Sequence, residues 1–227
     1  MVRKYSCEVV TVVNPVSGVY TVEFASLAGR FRYSPGQFMH LALDGYDPSG
    51  AWPDSRCFSM QTSPQNDTVK ITYSVKGAFT RRMESELQPG RPLWLKLPYG
   101  DLFTREHNKE NTVFIAGGTG VTPYLSLFTD GHFSAYARPV LYLGCRDASY
   151  NFYRDELDRA QQINPNLECR YYYQDRQGML PVEQILKDSD SSSDFFISGP
   201  PAMITGFRNY LMQNGVTGGQ IKTDDWE

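Results

Sequence analysis

The feature that most constrains this sequence is an apolar segment that breaks at glycines and then resumes at helical spacing. Residues 112–116 are mostly apolar, glycines interrupt residues 117–120, and apolar residues then recur as Val121, Leu125 and Phe128. This pattern predicts a buried strand, a tight turn and the first turns of a helix. The second half of the chain is therefore expected to be organised around a strand–turn–helix unit.

The turn in this unit has the form of a dinucleotide-binding fingerprint. The run Gly118-Thr119-Gly120-Val121-Thr122-Pro123 matches it, with Pro123 in place of the last glycine. Glycine lets the backbone approach a pyrophosphate, and the N–H groups at a helix start attract its charge. Proline is tolerated there because first-turn N–H groups have no intrahelical partner. A plain strand-to-helix turn without a ligand would look similar, so the turn alone leaves both interpretations open.

Length, charge and composition narrow the class of protein. The 227 residues predict two domains of about 100–120 residues each, with a single larger domain as the alternative. A net charge of −3 and the lack of a basic run argue against nucleic-acid binding. No apolar run approaches the ~18–20 residues that span a bilayer. The N-terminus enters a strand-like pattern at once, so we expect no signal peptide.

The cysteines indicate the redox compartment. Cys7, Cys57, Cys145 and Cys169 form no C-x-x-C pair and have neither zinc nor iron–sulfur spacing. Reduced thiols in a cytoplasmic protein without a metal site are therefore expected. An iron–sulfur centre is expected only on another chain.

Residues 5–105 have the pattern of many short strands and one helix. Val- and Thr-rich segments on either side of Asn14–Ser17 predict a hairpin. Further strand-like segments lie at residues 37–43, 56–62, 68–75 and 91–97. The spacing of Phe79, Met83 and Leu87 predicts the helix. An N-terminal antiparallel Greek-key β-barrel is the expected architecture.

Beyond this region the pattern changes to strands that alternate with helices. The polar segment Arg105–Asn111 is the candidate boundary, which gives domains of residues 1–106 and 107–227. Strands are predicted near residues 112–116, 139–144, 167–173, 194–198 and 220–223, and helices near 152–163, 181–186 and 200–214. This alternation predicts a doubly wound α/β domain, a parallel sheet covered on both faces.

The barrel half carries a second anion-binding signal. Gly77 to Thr80 lead into the predicted helix, where Gly77 allows close approach and Thr80 offers a hydroxyl beside unpaired N–H groups. Thr80 is equally interpreted as an ordinary N-cap or first-turn residue. Strand alternation places Arg56 and Phe58 on one side of their strand, and arginine suits bidentate phosphate contact. Taken alone, Arg56 fits a surface charge better and Phe58 a core residue.

In combination and in this order, the motifs resemble the ferredoxin–NADP(+) reductase superfamily. They are Arg56-Cys57-Phe58-Ser59, Gly77-Ala78-Phe79-Thr80, Gly117 to Pro123 and Ser198-Gly199-Pro200-Pro201-Ala202-Met203, with Ser34 to Phe38 and Pro98 to Gly100 as supporting elements. The resemblance covers nearly the whole chain. It implies an FAD-binding barrel, an NAD(P)H-binding α/β domain and an NAD(P)H-dependent flavoprotein reductase.

The resemblance also implies a role for each motif. Arg56 would contact the flavin pyrophosphate, Phe58 would lie against the isoalloxazine, and the Ser59 hydroxyl would bond to the ring edge. The rest of the expected flavin site is Cys57, Tyr73, Val75, Gly77, Ala78, Phe79 and Thr80. The expected nicotinamide-nucleotide site is Gly118, Thr119, Gly120, Thr122, Pro123, Arg146, Asp175, Arg176, Gly199, Pro200 and Met203.

Catalysis by such a protein is a matter of placement, so no acid–base pair is required. The nicotinamide must stack on the flavin with reacting atoms about 3–3.5 Å apart, and the flavin then splits the electron pair. The expected catalytic residues are Ser59, Ser198 and Trp226. Members of the superfamily often end in an aromatic residue over the flavin, so Trp226 is expected to act as a gate. The alternative is that Trp226 only fills the groove between the domains.

The sequence departs from the superfamily at informative positions. Ser198 stands where many members have cysteine, and Phe58 stands where tyrosine is usual. Asp175 would repel the 2′-phosphate of NADPH, so NADH is expected to be at least as good a donor, whereas Arg146 and Arg176 argue the other way. The electron acceptor is left open among a ferredoxin, an oxygenase and a haem protein.

Two other functions remain compatible with the sequence. One is a flavin reductase that binds flavin loosely as a substrate. The other is a non-catalytic electron-transfer or regulatory subunit of a larger complex. Arg56 and the Gly77 to Thr80 turn are predicted to bind a pyrophosphate. They favour bound FAD over FMN, because FMN lacks the adenylate half that completes a pyrophosphate.

Overall fold

The computed structural model describes residues 1–224 of the chain. Its N-terminal half contains the strands β1 (Arg3–Val16), β2 (Val19–Ser26), β3 (Phe38–Ala42), β4 (Ser55–Ser59), β5 (Thr68–Ser74) and β6 (Pro92–Tyr99). They form one six-stranded antiparallel sheet in the order β4-β3-β6-β1-β2-β5. The helix α1 (Ala78–Glu86) packs its apolar face into the core of this sheet.

The sheet curls until its two edge strands meet, which gives the predicted barrel. The N–H of Gln61, just after β4, donates to the carbonyl of Lys70 in β5 at 2.8 Å. Alternate side chains point inwards, so that in β1 Tyr5 and Cys7 are buried and Glu8 is exposed. The antiparallel barrel predicted from the strand pattern is therefore confirmed.

The predicted first hairpin forms, but its turn lies later than Asn14–Ser17. Strand β1 continues to Val16, and the chain reverses at Gly18, which has a φ of 73°. The Asn14 side chain donates to the carbonyls of Val16 and Val19 at 2.8 and 2.7 Å. Pro15 lies where the strand register shifts, a bulge position at which proline is tolerated.

The C-terminal half is a parallel sheet with helices on both faces. Its strands are β7 (Asn111–Gly117), β8 (Arg138–Cys145), β9 (Glu168–Tyr173), β10 (Asp194–Ser198) and β11 (Ile221–Thr223). Its helices are α2 (Thr122–Phe128), α3 (Arg154–Ile163), α4 (Gln174–Gln177), α5 (Val182–Asp188) and α6 (Pro201–Gln213). Helices α2 and α3 pack on one face, and α5 and α6 on the other. The doubly wound arrangement is confirmed, and only the short α4 has no counterpart in the sequence prediction.

The order of the parallel strands marks where a ligand would bind. The order is β11-β10-β7-β8-β9, so the chain moves from β7 to one side and later returns to the other side at β10. In open α/β sheets, ligands bind outside the carboxyl ends of the strands at such a switch point. Here the crevice lies between the turns that follow β7 and β10.

Side-chain hydrogen bonds join the barrel to the parallel-sheet half. The Gly36 N–H donates to Ser126 Oγ at 2.7 Å, and Ser63 Oγ donates to Asp130 Oδ2 at 2.8 Å. The predicted boundary after residue 106 lies in the connection from β6 to β7 and stays a prediction. Within residues 1–224, no helix has the length and apolar character needed to cross a membrane.

Candidate cofactor cleft

A cleft of about 970 Å³ lies where the barrel meets the carboxyl edge of the parallel sheet. The barrel contributes the ends of β4 and β5, including Phe58, Ser59, Thr72 and Tyr73. The other half contributes the turn at residues 117–120 and the turn at residues 198–203. Small-molecule sites commonly have volumes of about 300–1,000 Å³, so the cleft has room for a large cofactor.

Strand β4 presents different side chains to its two faces. Phe58 packs against the barrel core, with its ring 6.1 Å from that of Tyr73. Cys57 pairs with His40 of β3 and lies on the other face, where its Sγ is 3.6 Å from His40 Nε2. The structure therefore brings Phe58 to the cleft, whereas Cys57, predicted as a cofactor residue, faces away from it.

Arg56 lies beside the start of α1, as a joint phosphate site requires. Its guanidinium is 5.2 Å from the ring centre of Phe79. In this structure it also donates to Asp54 Oδ1 and to the Ser55 carbonyl, both at 2.7 Å. The side chain is 55% exposed, so its ion pair with Asp54 is open to exchange for a ligand.

The start of α1 is capped by the side chain of Thr80, a residue of its first turn. Gly77 is the N-cap, and Ala78 begins the helix. Thr80 Oγ1 accepts hydrogen bonds from the N–H groups of Lys76 and Gly77 at 2.9 and 3.0 Å. In this structure Thr80 is therefore an ordinary first-turn residue, as one of the two sequence-based interpretations expected. Val75, just upstream, packs against the barrel core.

The glycines after β7 serve two different purposes. A Cβ on Gly120 would lie 2.5 Å from the carbonyl oxygen of Ser198 and 2.6 Å from the Cα of Gly199. Gly118 has a φ of 55°, a left-handed conformation, and a Cβ there would meet nothing within 4 Å. Gly120 is therefore required because two chain segments touch, and Gly118 because of its backbone conformation.

The remaining residues of the two turns shape the same end of the cleft. Thr122 Oγ1 donates to the carbonyl of Thr119 at 2.9 Å and closes the turn at the start of α2, and Pro123 lies in the first turn of this helix. A Cβ on Gly117 would lie 2.9 Å from Met203 Sδ and 2.9 Å from Pro200 Cδ. The two turns therefore pack directly against one another.

Asp224 links the two halves at the centre of the cleft. Its Oδ2 accepts hydrogen bonds from Ser59 at 3.4 Å and from Ser198 at 3.2 Å. Ser59 and Ser198 are 8% and 2% exposed. The serine expected beside the flavin and the serine expected beside the nicotinamide are therefore joined through one carboxylate, that of Asp224, which no sequence motif marks.

The residues expected to select the electron donor lie in the cleft or next to it. Arg146 lines the cleft, and its Nη1 donates to the Tyr150 hydroxyl at 3.0 Å. Asp175 and Arg176 lie in α4, with a 3.8 Å ion pair between them. The Asp175 N–H donates to the Arg146 carbonyl at 3.2 Å. Asp175 and Arg176 therefore lie close to Arg146, but they do not line the cleft.

Comparisons with known proteins agree with this architecture. Residues 114–209 match the family model described as "Oxidoreductase NAD-binding domain". The chain is 26% identical over 216 residues to the reductase component of propane 2-monooxygenase from Mycolicibacterium goodii, covering 87% of this chain and 60% of the relative. It is 25% identical over 232 residues to the flavohemoprotein of Rhizobium meliloti, covering 92% and 57%. A ferredoxin NADP+ reductase from Neisseria gonorrhoeae, solved with bound FAD and NADP, superposes with a TM-score of 0.83 at 16% identity, covering 97% and 98%.

The NAD-binding domain model, the reductase relatives and the shared fold together support the ferredoxin–NADP(+) reductase-like superfamily. The chain spans about 60% of the length of the first curated relatives that it matches. The superfamily assignment made from the ordered motifs is thereby confirmed.

Several residues that line the cleft were not predicted from the sequence. They are Tyr150, Phe152, Tyr153, Tyr172, Met179 and Asp224. The segment from Tyr150 to Tyr153 contains three aromatic residues and directly precedes α3, and this clustering was the one sequence signal that could have identified them. Trp226, the expected gate, lies outside the described residues.

Proposed function

We propose that this chain is an FAD-dependent reductase that takes a hydride from NAD(P)H and passes electrons singly to a protein acceptor. The observation that carries the proposal is the single cleft in which Ser59 of the barrel and Ser198 of the parallel-sheet half bond to one carboxylate, Asp224. A flavin on the barrel side and a nicotinamide on the other side would meet there. Relatives named as reductase components of propane 2-monooxygenase and as flavohemoproteins support this class of reaction.

The residues present are suited to a flavin. Phe58 and Tyr73 offer aromatic surface to a flat ring system, and Ser59 offers a hydroxyl at the end of β4. Burial raises the pKa of Tyr73 well above its usual value, so it stays a neutral hydroxyl. The Tyr73 hydroxyl is buried and has no partner among the described residues, as expected of a group that a ligand completes.

Each element of the chain has a defined task in this mechanism. The bound flavin supplies the change from a two-electron donor to single-electron transfer. Phe58 and Ser59 orient the ring, and the Gly118–Thr122 turn and the Ser198–Met203 turn hold the donor nucleotide against it. Asp224 keeps both serine hydroxyls turned towards the cleft centre.

The direct test of FAD binding is to purify the chain, release its flavin by heat and identify it by chromatography. FAD is expected, and recovery of FMN alone would refute the proposal. Arg56→Ala should weaken FAD binding by about 2–4 kcal/mol, since charged phosphate contacts are strong. Arg81→Ala is the matched control, because Arg81 is an exposed arginine of α1, the helix whose start lies beside Arg56.

A second candidate function is an NAD(P)H:flavin reductase that binds flavin as a substrate. It is favoured by one observation: the predicted phosphate-binding groups are engaged within the chain, Arg56 with Asp54 and Thr80 with Gly77. This candidate predicts a colourless purified protein that reduces added FMN and riboflavin as well as added FAD. A yellow protein with stoichiometric FAD would exclude it.

The donor is proposed to be NADH at least as readily as NADPH. Asp175 would repel a 2′-phosphate, while Arg146 in the cleft and Arg176 beside Asp175 would attract it. Steady-state kcat/KM values for NADH and for NADPH measure which donor the chain prefers. A clear NADPH advantage that Arg176→Ala abolishes would overturn this preference.

Trp226 is proposed to cover the flavin and to move aside for the donor. Truncation after Asp225 should raise flavin fluorescence and tighten nicotinamide binding. Unchanged fluorescence together with an unchanged donor KM would leave Trp226 only a packing role.

The acceptor is proposed to be a ferredoxin, an oxygenase or a haem protein, as in the systems named for the relatives. The proposed compartment is the cytoplasm, because all four cysteines are unpaired thiols.

A further inference from the structure

The segment that continues β4 is bonded to the parallel-sheet half at three alternate residues. Ser59, Gln61 and Ser63 each donate a hydrogen bond to a carboxylate, at 3.4, 3.1 and 2.8 Å. The three acceptors come from different parts of the parallel-sheet half: Asp224 after β11, Glu156 in α3 and Asp130 after α2. One short segment of the barrel therefore fixes three separate elements of the other half.

Gln61, the middle residue of the three, is buried and held at both ends of its amide. It is 2% exposed. Thr72 Oγ1 donates to Gln61 Oε1 at 2.7 Å, and Gln61 Nε2 donates to Glu156 Oε1 at 3.1 Å. An ionised carboxylate can only accept, so the amide nitrogen must be the atom that faces Glu156. Turning the amide over would break both bonds, so its orientation is fixed.

This bond joins the two walls of the cofactor cleft from behind. Thr72 lies in β5 and lines the cleft on the barrel side. Glu156 lies in the first turn of α3, directly after the aromatic segment Tyr150–Tyr153, which lines the cleft on the other side. Lys70, also in β5, lies 3.6 Å from Glu156 Oε1 and supports the same contact. The position of α3 against β5 therefore depends on Gln61.

We infer that Gln61 is a positioning residue for hydride transfer, which it serves through its bond to Glu156. The inference rests on the proposed function, in which the barrel carries the flavin and the parallel-sheet half holds the donor. Hydride transfer needs reacting atoms about 3–3.5 Å apart, and a misplacement of about 1 Å can cost about 100-fold in rate. A bond that fixes one half against the other therefore acts on the transfer step, although Gln61 touches neither reactant.

The test is Gln61→Glu, which keeps the side-chain length and the acceptor for Thr72 but places a second carboxylate against Glu156. Repulsion should shift α3 away from β5. The limiting rate of flavin reduction by saturating NADH, measured by anaerobic stopped flow on FAD-loaded protein, should fall about tenfold. FAD affinity and the KM for NADH should stay unchanged, because the groups that bind the two nucleotides are intact.

The exchanged pair, Gln61→Glu combined with Glu156→Gln, restores one donor and one acceptor in the reverse order. Its limiting rate should return to within about twofold of the wild type, since the two sites act as one unit. Urea denaturation of the apoprotein gives an independent readout. The midpoint should fall in Gln61→Glu and recover in the exchanged pair.

Glu156→Ala is a further variant that removes the acceptor from a partly exposed position, where the side chain is 23% exposed. Its limiting rate should also fall. Asp155→Ala is the matched control, because it takes the same charge from the first turn of α3 at an exposed position. The control should reduce its flavin at the wild-type rate. Where a variant at Gln61 does not fold, the comparison of these two alanine variants decides.

A wild-type limiting rate in Gln61→Glu or in Glu156→Ala would overturn the inference, as would an exchanged pair that folds and stays slow. A lower apoprotein stability with an unchanged rate would mark Gln61 as purely structural and would also overturn it. So would a loss confined to FAD affinity or to the KM for NADH, since the bond would then serve binding. If neither NADH nor NADPH reduces the FAD-loaded wild type, the proposed function itself fails.

Discussion

The turns at Gly77 and Gly120 look alike in the sequence, because each places glycine just before a helix, yet the missing side chain matters differently in each. A Cβ on Gly77 would meet nothing within 4 Å, and its φ of −135° is open to any residue. A Cβ on Gly120 would lie 2.5 Å from the Ser198 carbonyl oxygen. The fold requires the second glycine, while the first leaves a space that a ligand can fill.

The two turns also differ in how firmly they are held. The turn at Gly120 continues into α2, which is fixed to the barrel through Ser126 and, at its end, through Asp130. The turn at Gly77 is held by the local bonds of Thr80. Glycine before a helix is thus a weak guide to phosphate binding until the contacts around it are known.

The largest effect is expected for Gly120→Ala. The added methyl collides with backbone atoms of residues 198 and 199 that cannot move independently of β10. The free energy of unfolding should fall by about 3 kcal/mol, as for overpacked cores. Urea denaturation of the apoprotein measures it.

The control for this variant is Gly206→Ala in α6. A Cβ there meets nothing within 4 Å, so stability should be unchanged or should rise by up to about 1 kcal/mol from helix propensity. Equal stabilities of Gly120→Ala and the wild type would remove the distinction between the two turns.

A smaller loss of stability is expected at Asp130, which joins the end of α2 to the barrel through Ser63. Burial raises the pKa of Asp130, but hydrogen bonds from the His132 N–H and side chain and from Ser63 outweigh it and lower the pKa overall. A carboxyl whose pKa is lowered by folding stabilises the protein at pH values above the usual carboxyl pKa of about 4, and this contribution is lost as the pH falls through the lower, folded-state pKa. Asp130→Asn should therefore cost about 2 kcal/mol at neutral pH, the range for hydrogen bonds to charged groups, and less at acid pH. An equal loss at both pH values would contradict this assignment.

The smallest effect on folding, and a clear one on binding, is expected for Gly77→Ala. The apoprotein should keep its stability within about 0.5 kcal/mol, because the methyl enters open space. FAD affinity should fall about tenfold, or about 1.4 kcal/mol, since the methyl keeps the backbone from the phosphate. Unchanged affinity would show that the flavin does not reach this turn.

The sequence predicted the barrel, the doubly wound sheet and both turns, because strand alternation and glycine–helix patterns are local signals. It missed contacts that depend on distant parts of the chain. Asp224 looks like part of an acidic tail until β11 brings it between Ser59 and Ser198. Gly120 lines the cleft and its predicted ligand contact stays a prediction, but the sequence could not show that a Cβ there would also collide with the backbone of residues 198 and 199.

The most direct test of a shared flavin and donor cleft is anaerobic titration of the purified, FAD-loaded chain with NADH, followed by flavin absorbance. Near-stoichiometric NADH should bleach the bound flavin completely, and Gly77→Ala protein reloaded with FAD should behave in the same way. Tightly bound FAD that dithionite reduces but neither NADH nor NADPH reduces would contradict a shared cleft.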